Sequence, residues 1–143
     1  MAVLFPAPAD NTMRGGMLPV SVFAALAGIS FIRSSIHILA PDGGAGSIAG
    51  MDLSVAGASG IVFAFGLWGS AQLIYALIQL AVVIRYRSLV PAMYLLLCFE
   101  TLLRMLVGRI KPVTFAHTPP GAIGNYVVLA LSLLMLAVCV SRR

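Results

Sequence analysis

Hydrophobic residues along this chain fall into four long runs separated by short polar or glycine-rich stretches. The runs cover about residues 18–39, 55–84, 89–107 and 121–140. A helix rises about 1.5 Å per residue, so a run of about 20 apolar residues crosses the hydrocarbon core of a bilayer. The pattern predicts an all-α integral membrane protein whose four transmembrane helices form an up-down-up-down bundle.

Residues 1–16 contain proline, glycine and aspartate and show no helical periodicity. We expect a disordered or loosely attached tail here, followed by one membrane domain over residues 17–143. An alternative treats residues 1–27 as a cleaved secretory signal with Ala25-Leu26-Ala27 at the cleavage site. Hydrophobicity continues past that site through Phe31 and Ile32, which favours an uncleaved first span.

Local signals set two of the span boundaries. Gly108 follows the third apolar run and is expected to end that helix, because glycine commonly occupies the position after a helix C-terminus. Thr118, directly before two prolines, is expected to cap the last helix.

The composition excludes a soluble globule. The chain is 61% hydrophobic and 9% charged, with a mean hydropathy of +1.06, whereas soluble domains carry about 25% charged residues. The net charge of +5 does not indicate nucleic-acid binding, because the basic residues lie singly or in pairs at the ends of apolar runs. That placement is typical of membrane topology.

The basic residues predict the orientation of the bundle, since cytoplasmic loops carry the excess of Lys and Arg. With both termini cytoplasmic, five basic residues lie inside and two outside: Arg14, Arg85, Arg87, Arg142 and Arg143 against Arg109 and Lys111. Eight arginines to one lysine, amid much alanine and glycine, favour a bacterial source. We therefore expect a bacterial inner (plasma) membrane protein.

Four ionisable side chains fall at membrane depth: Arg33 and His37 in the first span, and Glu100 and Arg104 in the third. Each pair is four residues apart and so shares one helix face. Counting from the cytoplasmic ends at about 1.5 Å per residue places all four in the outer half of the bilayer, with the arginines nearly level. Glu100 is the only acidic residue in a span, so the cluster carries surplus positive charge.

Three interpretations of this cluster stay open. Glu100 neutralises one or both arginines and joins two spans while His37 reaches the interface; or the surplus charge forms a pocket for an anion such as a lipid phosphate. In the third interpretation, His37 or Glu100 acts as an acid or base, but a nucleophile and a second carboxylate are missing. Above the cluster lies a candidate basic rim formed by Arg109, Lys111 and His117.

Neither cysteine suggests a metal or a redox cofactor. Cys98 and Cys139 lie inside apolar runs without a CxxC partner or a histidine at ligand spacing, so both are expected to be packing residues.

Small residues recur on the second span at four-residue spacing. Ala56, Gly60 and Ala64 form one such row, and Gly66 and Ser70 form another. Rows of this kind let helices approach closely in lipid. They predict packing within the bundle or, as the alternative, a homo-oligomeric contact through the second span.

The segments Glu100-Thr-Leu-Leu-Arg104, Gly108-Arg-Ile-Lys-Pro112 and Thr118-Pro-Pro-Gly-Ala-Ile-Gly-Asn125 resemble a group of small bacterial inner-membrane proteins of unknown function with four predicted helices. The resemblance implies the fold and the location but no activity. The leading hypothesis is a non-enzymatic accessory subunit or a bundle that binds lipid or a small anion. The alternatives are a subunit of an oligomeric transporter or channel, and a membrane-embedded enzyme acting on lipid or quinone.

Overall fold

The computed structural model describes residues 4–141, and every regular element in that range is a helix. The four long helices are α1 (Met17–Leu39), α2 (Ala58–Arg85), α3 (Val90–Ile110) and α4 (Pro120–Ser141). One 3₁₀ turn, Arg87–Leu89, joins α2 to α3. Each long helix is long and apolar enough to span a membrane. The prediction of a helical integral membrane protein is therefore confirmed at this level.

The helix ends lie close to the predicted positions with one correction. The third helix was expected to end at Gly108 but continues to Ile110, where the amide of Lys111 bonds the carbonyl of Val107. Gly108 is helical and exposed on α3. The second helix begins at Ala58, after Gly57 with a φ of 87°.

The tightly packed core lies at one end of the bundle, which we call the turn end. This end contains the start of α1, the α2–α3 turn and the end of α4. Its buried apolar residues come from all four helices: Val20, Phe23, Val82, Val90, Met93, Tyr94, Leu97 and Met135. The Tyr94 hydroxyl donates a hydrogen bond of 2.7 Å to the Pro19 carbonyl, which fixes α1 against α3.

The opposite end, the loop end, is held together differently. It contains the 40–57 loop and the 111–119 loop. There α1 stays packed on α2, but the last buried residue of α3 is Thr101 and the first buried residue of α4 is Ser132. The helices beyond those two residues present large apolar side chains outward, among them Leu103 and Ile123. A bilayer is the solvent in which such a surface is stable.

The 40–57 loop is ordered by one carboxylate. Asp42 accepts hydrogen bonds from the backbone amides of Gly44, Gly46 and Ser47 at 2.7–3.1 Å. These bonds favour the charged form, led by the bond from Ser47, and lower the pKa of Asp42 to about 2.

The N-terminal tail contacts the turn end through Asp10. The Asp10 amide donates to the Ser88 hydroxyl oxygen at 2.9 Å, and the Ser88 amide and hydroxyl both donate to the Asp10 carbonyl. Ser88 is buried in the α2–α3 turn, so the tail covers the turn end. Arg142 and Arg143, which the orientation prediction uses, lie outside the described residues.

Candidate functional site

Three helices are joined by one polar network near the middle of the bundle. An Arg33 Nη atom on α1 donates a 2.8 Å hydrogen bond to Gln72 Oε1 on α2. Gln72 Nε2 in turn donates a 2.9 Å bond to Glu100 Oε1 on α3. Arg104, one turn further along α3, lies 3.8 Å from the same carboxylate oxygen. These four residues are called the polar network below.

The network brings together three of the four ionisable residues that the sequence singled out. Arg33 and Glu100 interact through the amide of Gln72, which can donate with one atom and accept with the other. The sequence analysis did not assign Gln72 this role. The only available signal was its place one helical turn after Trp68, near mid-span on a helix that is apolar on all sides.

The network carries more positive than negative charge, and its arginine donors are largely unused. Arg33 Nε and Arg104 Nε are both buried and have no hydrogen-bond partner within residues 4–141. Arg104 adds only a long 3.5 Å bond to the Thr101 hydroxyl. The Arg33 guanidinium also lies 5.3 Å from the centre of the Trp68 ring, a cation–π contact. The network thus contains two positively charged guanidinium groups and one negatively charged carboxylate.

His37 is not part of the network. Its side chain is buried, and Nδ1 lies 2.7 Å from the Gly43 carbonyl oxygen. Since a carbonyl can only accept, Nδ1 carries the proton in this contact. The ring packs against Trp68 at 4.8 Å and Phe65 at 5.6 Å. His37 therefore joins the 40–57 loop to α1 and α2.

The candidate basic rim is exposed at the loop end. Arg109, Lys111 and His117 all have exposed side chains. His117 Nε2 lies 3.3 Å from the Ile48 carbonyl, and the neighbouring Ala116 amide donates to the Gly50 carbonyl at 2.8 Å. The two loops therefore contact each other and border a cavity of about 640 Å³. His117 is a loop contact there, and none of the three side chains bonds to the polar network.

Among the glycines of the long helices, Gly69 makes the closest approach to a neighbouring helix, and it lies outside the predicted rows of small residues. A Cβ atom at Gly69 would lie 2.6 Å from the His37 Cβ and 3.2 Å from the Ser34 carbonyl. Of the predicted packing residues, Gly60 has open space around it, and Gly66 only reaches the His37 carbonyl at 3.9 Å. Ala64 and Ser70 are exposed. The close contact between α1 and α2 is therefore at Gly69, and it does not involve the predicted row that contains Gly60.

A groove of about 350 Å³ runs between α2 and α3, where these two helices make few contacts. Its polar lining consists of Gln72, Tyr75 and Glu100. The hydroxyl of Tyr75 is buried and makes no hydrogen bond within residues 4–141. Among those same residues, no group of three His, Cys, Asp or Glu side chains is arranged to hold a metal ion.

Comparisons with protein-family models, with curated proteins and with solved structures found no match. The resemblance of residues 100–125 to four-helix inner-membrane proteins therefore stays a prediction.

Proposed function

We propose that this protein is a non-enzymatic integral membrane protein that binds an anionic group, a lipid phosphate or a small anion, at Arg33 and Arg104. The observation that carries the proposal is a network that contains two guanidinium groups and a single carboxylate, in which each guanidinium has a buried Nε without a hydrogen-bond partner within residues 4–141. Guanidinium groups bind phosphate and carboxylate through paired hydrogen bonds. An anion would supply the missing charge and the missing acceptors.

The energetics of the bilayer support this assignment. An arginine at the centre of a membrane helix costs about 3 kcal/mol on insertion scales. Glu100 offsets that cost for one arginine, and the second needs another anion or water. Binding an anion at this level removes the remaining imbalance.

The depth of the arginines suits a headgroup phosphate. Arg33 is six residues before Leu39, the end of α1, and Arg104 is six residues before Ile110, the end of α3. At about 1.5 Å per residue, both lie about 9 Å below the loop end of their helices. A long arginine side chain reaches toward the interface over such a distance.

The location and the orientation belong to the same proposal. The bacterial inner membrane and the cytoplasmic termini are supported by the composition and the distribution of basic residues. In this orientation the loop end faces the periplasm, and Arg33 and Arg104 bind anionic groups in the outer leaflet.

Native mass spectrometry of the full chain, released from vesicles containing phosphatidylglycerol, tests the proposal. We expect retained phosphatidylglycerol on the wild type, and a loss of at least tenfold in the Arg33→Gln and Arg104→Gln variants. Arg109→Gln is the matched control, because Arg109 is exposed and lies outside the network. Equal retention in all four proteins would refute anion binding at this site.

A second candidate, a subunit of an oligomeric transporter or channel, is favoured by one observation. Gly60 and Ala64 form a row of small residues that is exposed on α2, and a Cβ atom at Gly60 would meet open space among the described residues. Such a surface suits a second copy of the chain. The oligomeric state in the same mass spectra distinguishes this candidate from a monomeric binding protein.

A further inference from the structure

Glu100 lines the α2–α3 groove, and one of its carboxylate oxygens has no hydrogen-bond partner within residues 4–141. Both contacts of the Glu100 carboxylate, from Gln72 and from Arg104, go to Oε1. Within residues 4–141, no hydrogen bond or ion pair reaches Oε2. The Glu100 side chain is 23% exposed, and it lines the groove. A carboxylate oxygen thus faces a groove that is lined mainly by apolar side chains.

A tyrosine side chain also lines the groove. Tyr75 lies one turn after Gln72 on α2, and its hydroxyl is buried and makes no hydrogen bond within the described range. Its aromatic ring and that of Phe99 line the groove from the two helices. Ala71 and Leu96 contribute to the lining, and the small side chain of Ala71 leaves room beside the rings.

The groove lies near the middle of α3, so a ligand must dissolve in the bilayer to reach it. Glu100 is ten residues from each end of α3, which places it about 15 Å from either end of that helix. Molecules that reside at this depth are lipophilic and uncharged, because an ion at the bilayer centre costs several kcal/mol. Phospholipid headgroups stay at the interface, so the groove is not the headgroup site of the anion proposal.

The charges in the network exclude both kinds of ionic ligand from the groove. A cation would add a third positive charge beside Arg33 and Arg104. An anion would face the Glu100 carboxylate directly. A neutral group that donates a hydrogen bond meets neither penalty and satisfies Oε2.

We propose that the α2–α3 groove binds a neutral, bilayer-soluble aromatic alcohol of the hydroquinone type. One ligand hydroxyl donates to Glu100 Oε2, the carboxylate oxygen that has no partner within residues 4–141. The ring lies beside Phe99 and Tyr75, where offset or edge-to-face contacts add to the burial of apolar surface. The groove volume of about 350 Å³ lies within the range of small-molecule sites, which is about 300–1,000 Å³.

This inference is independent of the proposed anion binding, although both involve the network. The anion interacts with the arginines about 9 Å from the loop end, whereas the aromatic alcohol takes the opposite oxygen of Glu100 from the groove. No electron transfer is included in the proposal.

Binding of a short-chain alkyl hydroquinone to the detergent-solubilised full chain tests the inference by calorimetry. We expect saturable binding of the hydroquinone, and at least tenfold weaker binding of its dimethyl ether, which keeps the ring but cannot donate. An alkyl ammonium and an alkyl phosphate of the same chain length serve as the charged comparisons. Equal binding of the hydroquinone and its dimethyl ether would overturn the proposal, as would binding of the alkyl ammonium or the alkyl phosphate that is tighter than hydroquinone binding and that Ala71→Phe abolishes.

Three variants locate the site without touching the salt bridge. Tyr75→Ala removes the ring that lines the groove and is expected to weaken hydroquinone binding about tenfold, or about 1.4 kcal/mol. Ala71→Phe fills the groove and is expected to abolish binding. Ala81→Phe, exposed on the same helix and outside the groove, is expected to bind like the wild type. Unchanged binding in Ala71→Phe would refute the groove as the site, and phosphatidylglycerol retention in that variant reports separately on the anion proposal.

Discussion

Arg33 and Glu100 lie on different helices and are held together by one side chain, because Gln72 accepts from the first and donates to the second. A direct ion pair was the simpler expectation. The Gln72 amide lies between α1 and α3 at this level, and it gives a hydrogen-bond partner both to the Arg33 guanidinium and to the Glu100 carboxylate. Gln72 is therefore the residue on which the contact between the three helices depends most.

Replacing Gln72 tests that dependence. Gln72→Leu removes two hydrogen bonds to charged groups, and we expect a loss of about 2–3 kcal/mol in the free energy of unfolding, measured by thermal unfolding in mild detergent. The matched control is Gln79→Leu, because Gln79 lies on the same helix, is fully buried and has no hydrogen-bond partner for either amide atom within residues 4–141. That change should be neutral or stabilising. Equal losses in the two variants would contradict the bridging role.

Removing the acid should expose the surplus charge. Glu100→Gln leaves Arg33 and Arg104 without a counter-charge, and breaking a buried pair from one side costs about 3–5 kcal/mol. Because Glu100 is 23% exposed, we expect the lower end of that range. The double variant Glu100→Gln/Arg33→Gln should recover part of the loss in the same unfolding measurement. No recovery would show that Arg33 is balanced by something other than Glu100.

The close approach at Gly69 predicts a contrast between two glycines of α2. Gly69→Ala places a Cβ atom 2.6 Å from the His37 Cβ, so α1 and α2 must separate, at a cost of about 1–3 kcal/mol typical of overpacking. Gly60→Leu enters open space and should leave the melting temperature of the monomer unchanged. A shift from dimer to monomer in Gly60→Leu would instead identify the exposed row as an oligomeric contact.

The pH dependence of the 40–57 loop follows from Asp42. Its pKa in the fold is about 2, below the ordinary aspartate value of 3.8, so the unfolded loop binds the proton more readily. The stabilisation is therefore complete above about pH 4 and is lost as the pH falls toward 2. Amide hydrogen exchange at Gly44, Gly46 and Ser47, corrected for the intrinsic rate, should rise over that interval. Asp42→Ala should show the fast exchange already at pH 7, whereas the exposed Asp52→Ala should not.

The orientation prediction is tested by reporter fusions. A reporter joined after residue 45 should report the periplasmic side, and one joined after residue 143 should report the cytoplasm, because of the five-to-two distribution of basic residues. A periplasmic signal from the C-terminal fusion would reverse the orientation. The arginines would then serve the inner leaflet, since the loop end would face the cytoplasm.

The sequence by itself determined the number of helices and their limits to within about three residues, apart from details such as Gly108. The length of each hydrophobic run can be read from the sequence alone, because it must match the thickness of the bilayer wherever the other helices lie. The same local reasoning placed Arg33, Glu100 and Arg104 at similar depth, since depth follows from counting residues along a helix.

Only the tertiary structure decided which side chains meet. That depends on how each helix is rotated about its axis, and α2 is apolar on nearly every side, so its sequence indicates no preferred face. The rotation in the fold turns Gly69 toward α1 and leaves Gly60 exposed. It also places Gln72 between Arg33 and Glu100, and it brings His37 into contact with Gly43 of the 40–57 loop. Close packing, which acts between helices and not along them, selects these partners.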